Sequence, residues 1–308
     1  WLVLNGSKGY SLATTDALEQ TVPMYYHLWD VLHLQKSFFF DWYTALGTNM
    51  AGVTAHYGFV SPVNLLLLLV KREQIDVFFN VLVYIRMILA SLSMYWALNK
   101  KNENKFNIIL APLYSINAYM IMYCIFPMWM DVAVVFPLLL YNLEQMMNNG
   151  SNGEWYIICL AFSFMMDVNL VPMIIIFVVL YVGFSLFMMD KDKRCKVAVN
   201  VIITSVIGSM ISLVILLPGA MQVMVSPRIG TNFIDLIKAG YSVISYMDYQ
   251  KWVMGTLSVI ALIVGIPHIN RFKSNEYVIY MIILAIMSFA MISEGSNLVW
   301  HLGTYAYW

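Results

Sequence analysis

The stretch "VPMIIIFVVLYVGFSLFMM", Val171–Met189, holds no charged residue, and "DKDKRCK", Asp190–Lys196, follows at once. Wound as an α-helix it would rise roughly 28 Å, close to the ~30 Å of a bilayer's hydrocarbon core. A run of that length ending in a knot of Lys and Arg reads as a membrane span leaving toward the cytoplasm. Seven further segments have the same character: Ile75–Leu98, Phe106–Phe126, Met130–Met146, Trp155–Met166, Val197–Leu217, Trp252–Ile266 and Tyr277–Ile292. Trp155–Met166 is short, and the spacing predicts a break at Asp167–Asn169, where irregular backbone needs cover from protein or a water-filled cavity. "NLLLLLV", Asn64–Val70, is too short to cross and reads as a surface-lying or re-entrant helix introduced by Ser61–Pro62.

Composition agrees. Hydrophobic residues make up 61% of the 308 and charged residues 11%, too little polar surface for a soluble chain of this length. The fold class is therefore all-α, a polytopic transmembrane helical bundle with a helical outer loop near the N-terminus. The formal net charge is zero, leaving no electrostatic footprint for nucleic acid. Cys124, Cys159 and Cys195 have no metal-type spacing and read as inert thiols. No fixed internal repeat is evident, and "NNGSNG" is a plain turn. "WLVL" before Asn5–Gly6 resembles the last turn of a helix, and "HLGTYAYW" stops abruptly. The chain is read as one transmembrane domain, 1–308, within a longer polypeptide.

Alternating the spans collects four short loops on one side: Asn99–Lys105, Met147–Glu154, Asp190–Lys196 and Pro267–Glu276. They carry nine of the seventeen basic residues. Short loops rich in Lys and Arg stay in the cytoplasm, so the long segments Asn5–Gln74 and Pro218–Lys251 are expected outside. That places Asp16, Glu19, Asp30, Asp41, Asp131, Asp167, Asp235, Asp248 and Glu294 on or near the outer face.

Each chemical candidate carries two readings. Asp16, after Thr14–Thr15, is either an N-cap with Glu19 reaching back or a general base held at the membrane surface. Asp131, in "FPMWMDVAVVFPLLLYNLEQ", is either a functional carboxylate or a helix-start Asp favoured by the dipole. Asp167, in "MMDVNLVP", has the same alternatives, its break favouring a cavity. His301, beside Trp300, is either a packed side chain or a catalyst. His27, His33 and His56 match no metal-binding spacing. Arg228, in "SPRIGTN", is the best outer-face cation for a phosphate, because a guanidinium grips two oxygens at once. Lys238, Lys71 and Arg72 read as ordinary loop charges. The aromatic residues through Tyr25–Tyr57 suit an interfacial belt or a sugar platform. The chain contains no phosphate-binding loop, GxSxG, CxxC or dinucleotide fingerprint.

"TTDALEQTVPMYYHLWDVLHLQKSFFFDWYTALGTNMAGVTAHYGFVSPVNLLLLLVKREQ", Thr14–Gln74, resembles the bacterial YfhO family of multi-pass membrane proteins. So do "MYCIFPMWMDVAVVFPLLLYNLEQMM", Met122–Met147, and "LVWHLG", Leu298–Gly303. The pieces recur in family order across nearly the whole chain. The resemblance implies a GT-C type glycosyltransferase fold with an acidic residue in the first outer loop. Its members are associated with moving sugars from a polyprenyl-phosphate carrier to cell-envelope polymers such as teichoic acid or polysaccharide outside a bacterial plasma membrane. Carried over residue by residue, Asp16 takes the place of the first-loop acid, Asp131 falls in an "MWLD"-like span start, and His301 in a "WHG"-like motif. Two departures stand out: Ala17–Leu18–Glu19–Gln20–Thr21 replaces an aromatic followed by Gln–Tyr, and Leu302 intervenes before Gly303.

The expectation is thus a lipid-linked-sugar-dependent enzyme at the outer leaflet. Asp16 and Asp131 would be catalytic, and Glu19, Gln20, Asp41, Asp167, Arg228 and His301 would bind substrate. The donor is a polyprenyl-phosphate sugar, the acceptor an envelope polymer, and membrane lipids surround the protein. The residues do not settle whether a divalent metal takes part. A transporter or flippase of lipid-linked or polymeric precursors would use the same carboxylates as relays. A membrane scaffold would leave them dispensable.

Overall fold

The computed structural model describes residues 11–44 and 47–225. Over these residues the regular secondary structure is helical apart from two two-residue strands. These residues fall into two compact units, one of 11–171 with 199–223 and the other of 172–198 with 224–225.

In the first unit the organising element is α3, Ile75–Lys101, which follows two shorter helices, α1 (Val22–Leu32) and α2 (Met50–Thr54). Helix α3 contains no Gly or Pro, and Lys100–Lys101 in its last turn complement the dipole. Its buried residues Ile75, Phe79, Leu82, Val83, Arg86, Ala90 and Ser93 recur at helical spacing. Val77, Ile88 and Leu92 on the other faces are exposed although apolar. Apolar residues all round mark a helix whose surroundings are not water.

Helix α3 packs against α4 (Asn107–Ser115) and against α6 (Pro127–Asn149), and α6 packs in turn against α7 (Gly153–Met166). Helix α6 starts with Pro127 in its first turn and ends at Gly150, whose φ of 68° closes the last turn. Among the described residues, three apolar stretches are long enough to cross a membrane: Arg72–Lys101, which is α3 with the turn before it; α8 (Val171–Met188); and Lys191–Gln222 within α9 (Lys191–Val225). The charge-free run from Val171 is therefore a single helix as far as Met188, in the second unit from Pro172 onward. There Arg194 donates to the carbonyls of Phe187 and Met189, satisfying acceptors left over at the end of α8.

The expected span Phe106–Phe126 is instead divided, α4 stopping at Ser115 and α5 running Ala118–Met122. Asn117 makes the break. Its side chain accepts from the Met120 amide at 2.9 Å and donates to the Tyr114 carbonyl at 2.8 Å, capping one helix and closing the other. The break at Asp167 occurs as expected, with extended backbone after Met166. The expected spans Trp252–Ile266 and Tyr277–Ile292 lie outside the described residues.

The N-terminal segment packs onto the start of α3. Leu12, Ala13, Ala17, Val22, Tyr25 and Leu28 share one core with Phe59, Leu67, Ile75, Phe79 and Leu82. A π-helical turn, Ala17–Thr21, leads into α1, and β1 (Phe40–Asp41) pairs antiparallel with β2 (Thr48–Asn49). "NLLLLL", Asn64–Leu69, lies within a 3₁₀ helix, Pro62–Leu69, entered from extended backbone at Ser61 and left through extended backbone at Val70. At about 2 Å per residue this helix is too short to cross a bilayer, as expected for a surface-lying or re-entrant piece.

Two glycines fix the loop between α2 and that 3₁₀ helix. Gly58 has φ +57°, and a Cβ there would lie 2.8 Å from Met128 Cβ and 3.2 Å from the Met166 carbonyl. A Cβ on Gly219 of α9 would lie 2.6 Å from Ala55 Cβ. The loop is pressed between the start of α6, the end of α7 and α9, and neither glycine admits a side chain.

Candidate functional site

Asp16 sits where the chain turns into the π-helical segment. The preceding Thr15 has φ 46°, a left-handed conformation that a β-branched residue adopts only under strain. Asp16 itself has helical dihedrals and makes no side-chain capping bond. The capping arrangement therefore does not form. The carboxylate is half-buried, Glu19 and Gln20 beyond it are exposed, and Glu19 falls in the first turn.

Tyr57, from the Gly58 loop, faces this turn. Its hydroxyl donates to Gln20 Oε1 at 3.5 Å, the long limit of a hydrogen bond. Burial, and then the negative charges of Asp167 and Asp16, lift that hydroxyl above its ordinary range. Next to Tyr57, Asn169 Nδ2 donates to His56 Nδ1 at 3.2 Å, and burial holds the His56 ring below its ordinary value. The neutral ring then carries its proton on Nε2.

Asp167 caps the broken end of α7. It is buried, accepts from Trp129 Nε1 at 2.7 Å through one oxygen, and accepts from the Asn169 amide at 2.6 Å through the other. Burial pushes its carboxyl up to about 7, against the downward pull of those two donors. The Val168 amide donates to the Ala55 carbonyl at 3.0 Å, joining this break to the Gly58 loop. The α7–α8 break, the Gly58 loop and the π-helical turn therefore converge around Tyr57.

Asp131 has different company. It lies in the interior beside Arg86, whose Nε and Nη2 donate to its two oxygens at 2.9 and 3.0 Å. Arg86 is fully buried, and its Nη2 also donates to Asn64 Oδ1 at 2.7 Å. Ser61 Oγ approaches the same carboxylate without meeting hydrogen-bond geometry. Asp131 is thus taken up by Arg86, whereas the turn after Asp16 and the loop joined to the Asp167 break meet where Tyr57 reaches Gln20. Asp41 is buried too. It accepts from Thr44 Oγ1 at 2.7 Å, with Lys36 Nζ and His27 Nδ1 each 3.8 Å away. Thr44's hydrogen bond draws its carboxyl below the ordinary range. Arg72 is bound to Asp30 through two donors at 2.7 and 3.2 Å. Arg228 and His301 lie outside the described residues.

A family model described as "Bacterial membrane protein YfhO" matches residues 4–308. The chain belongs to the YfhO family. No curated protein and no solved structure matches it. Among the described residues of this YfhO protein, no group of three or more His, Cys, Asp or Glu side chains is placed to hold a metal ion. His56, Tyr57, Trp129, Asn169 and Arg86 were not among the site residues expected from the sequence. One signal was available for two of them: "AHYG", Ala55–Gly58, places a His and a Tyr directly before a glycine, inside the stretch that resembles the family.

Proposed function

We propose that this YfhO protein transfers a sugar from a polyprenyl-phosphate carrier to an envelope polymer at the outer leaflet. Asp16 is the general base. The observation that carries the reading is that Tyr57, in the loop tied to the Asp167 break through Val168 and Ala55, reaches Gln20 on the turn that follows Asp16. A lipid carrier holds its sugar at the membrane edge, which is where such carboxylates are useful.

In this reading Asp16 accepts the proton of an acceptor hydroxyl while that oxygen bonds to the anomeric carbon. The bond from that carbon to the phosphate oxygen breaks, and polyprenyl phosphate leaves. Gln20 and Glu19, exposed on the same turn, are suited to contact the sugar or the acceptor. Arg228 is the proposed partner of the departing phosphate. Strained backbone at Thr15 supports the assignment, because such strain clusters at functional sites. Base catalysis of this kind contributes roughly 10²–10⁴ in rate, and holding lipid and polymer together contributes much of the remainder.

Asp16→Asn keeps the volume and removes the base. Purified full-length protein carrying it should lose transfer from a defined lipid-phosphate sugar donor by at least about 10²-fold, with unchanged membrane insertion. Near-normal turnover would remove Asp16 from the chemistry. The breaks at Asn117 and Asp167 also favour a second reading, transport of a lipid-linked precursor, since transporters bind substrate at interrupted helices. Movement of the donor across vesicles without a glycosylated product would select it.

A further inference from the structure

The buried Arg86–Asp131 pair sits beneath the candidate site rather than in it, and one residue links the two. Asn64 accepts from Arg86 Nη2 through Oδ1 at 2.7 Å and donates from Nδ2 to the Gly58 carbonyl at 2.9 Å. Gly58 follows His56 and Tyr57 directly. We propose that Arg86 is a positioning residue, holding the His56–Tyr57 loop in place through Asn64 and the Gly58 carbonyl.

Three features support this. First, the demand is specific to Arg: its Nε and Nη2 engage Asp131 while Nη2 also reaches Asn64, and Nη1 donates to the Leu82 carbonyl at 3.3 Å. A lysine ammonium is a single point of charge and cannot reproduce that fork. Second, the arrangement is costly to bury without a use. A buried ion pair is weak evidence for stability, because well-packed apolar residues of similar volume are often as good or better. Third, the loop needs holding. Gly58 is in the left-handed region, and its neighbours leave no slack toward Met128 or Met166. The His56 and Tyr57 amides are bonded only within the turn, to the Val53 and Thr54 carbonyls.

The inference rests on the site reading above, so its test includes a readout independent of transfer. Hydrogen exchange over residues 55–61 of purified full-length protein reports the loop directly. Two variants probe the link. Asn64→Leu removes the connector, and the double variant Arg86→Met with Asp131→Leu removes the pair while keeping apolar volume. Both should raise exchange in 55–61 by about five- to tenfold, as loss of one buried hydrogen bond implies, while α6 and α7 keep their protection. Arg86→Lys should loosen the same segment although the charge remains. Transfer should fall mainly in kcat, with KM for the lipid donor little changed. Unchanged exchange in 55–61 in the two connector variants would overturn the proposal, as would loosening spread evenly over α6 and α7. Absence of transfer by the wild-type protein would instead sink the glycosyltransferase reading, leaving the exchange result to decide the positioning role.

Discussion

Asp167 gives the residue scale its sharpest expectation. An unfolded Asp titrates near ~3.9, whereas burial raises this carboxyl to about 7 in the folded chain. Folding therefore takes up a proton between those values. The stabilising contribution is fully present below about 4, is lost as pH rises toward 7, and stays lost above it. Thermal unfolding of the purified protein should move to lower temperature between about pH 4 and 7, and Asp167→Asn should flatten that slope. His56 titrates with the opposite sign: its depressed value gives stability present above about 6.5 and lost as pH falls. The diagnostic is therefore the difference in slope between wild type and variant. Equal slopes would mean that Asp167 is ionised in the folded protein.

At the scale of elements, two ion pairs join α3 to α6, and their environments predict opposite outcomes. Lys101 and Glu144 meet at 2.7 Å near the helix ends, with the Lys side chain 60% exposed. Arg86 and Asp131 meet at 2.9 Å with no exposure of the Arg side chain. Lys101→Ala should cost no more than about 1 kcal/mol, because solvent screens the pair. Arg86→Ala should cost roughly 3–5 kcal/mol, because an uncompensated carboxylate remains in the interior. Denaturation of the two variants in the same detergent compares them directly. Similar losses would show that Asp131 finds another partner when Arg86 is gone.

For the whole molecule, sidedness can be tested with a native residue. Cys195 is exposed, whereas Cys159 is buried and Cys124 partly so. It lies in the basic segment Asp190–Lys196, so a membrane-impermeant thiol reagent should label it only after cells are opened. Labelling of intact cells would invert the topology and remove the case for outer-leaflet chemistry. How much was legible in the sequence follows from the range of each signal. The helix Val171–Met188, the helical segment after Ser61 and the break at Asp167 are local, written in hydropathy, proline and the polar pair Asp167 and Asn169. The division at Asn117 was missed because hydropathy runs on through it, while two side-chain hydrogen bonds decide it. Arg86 and Asp131 are 45 positions apart, and Ala55 and Val168, which share a backbone hydrogen bond, come from separate loops. Those partnerships depend on which helices adjoin, which no window along the chain records.

The 3₁₀ helix Pro62–Leu69 has a consequence for how this chain can change in length. Ser61, Asn64 and Leu67 are buried while Leu65 and Leu68 are exposed, a repeat of three that matches the three residues of each turn. An α-helix would sweep the same side chains around its axis; here they form a straight edge. Adding or deleting one residue after Asn64 turns everything beyond it by about a third of a circle and carries Leu67 out of the core. Three residues restore the phase. Gains and losses tolerated in this segment should therefore come in multiples of three, a grammar of spacing imposed by the backbone alone.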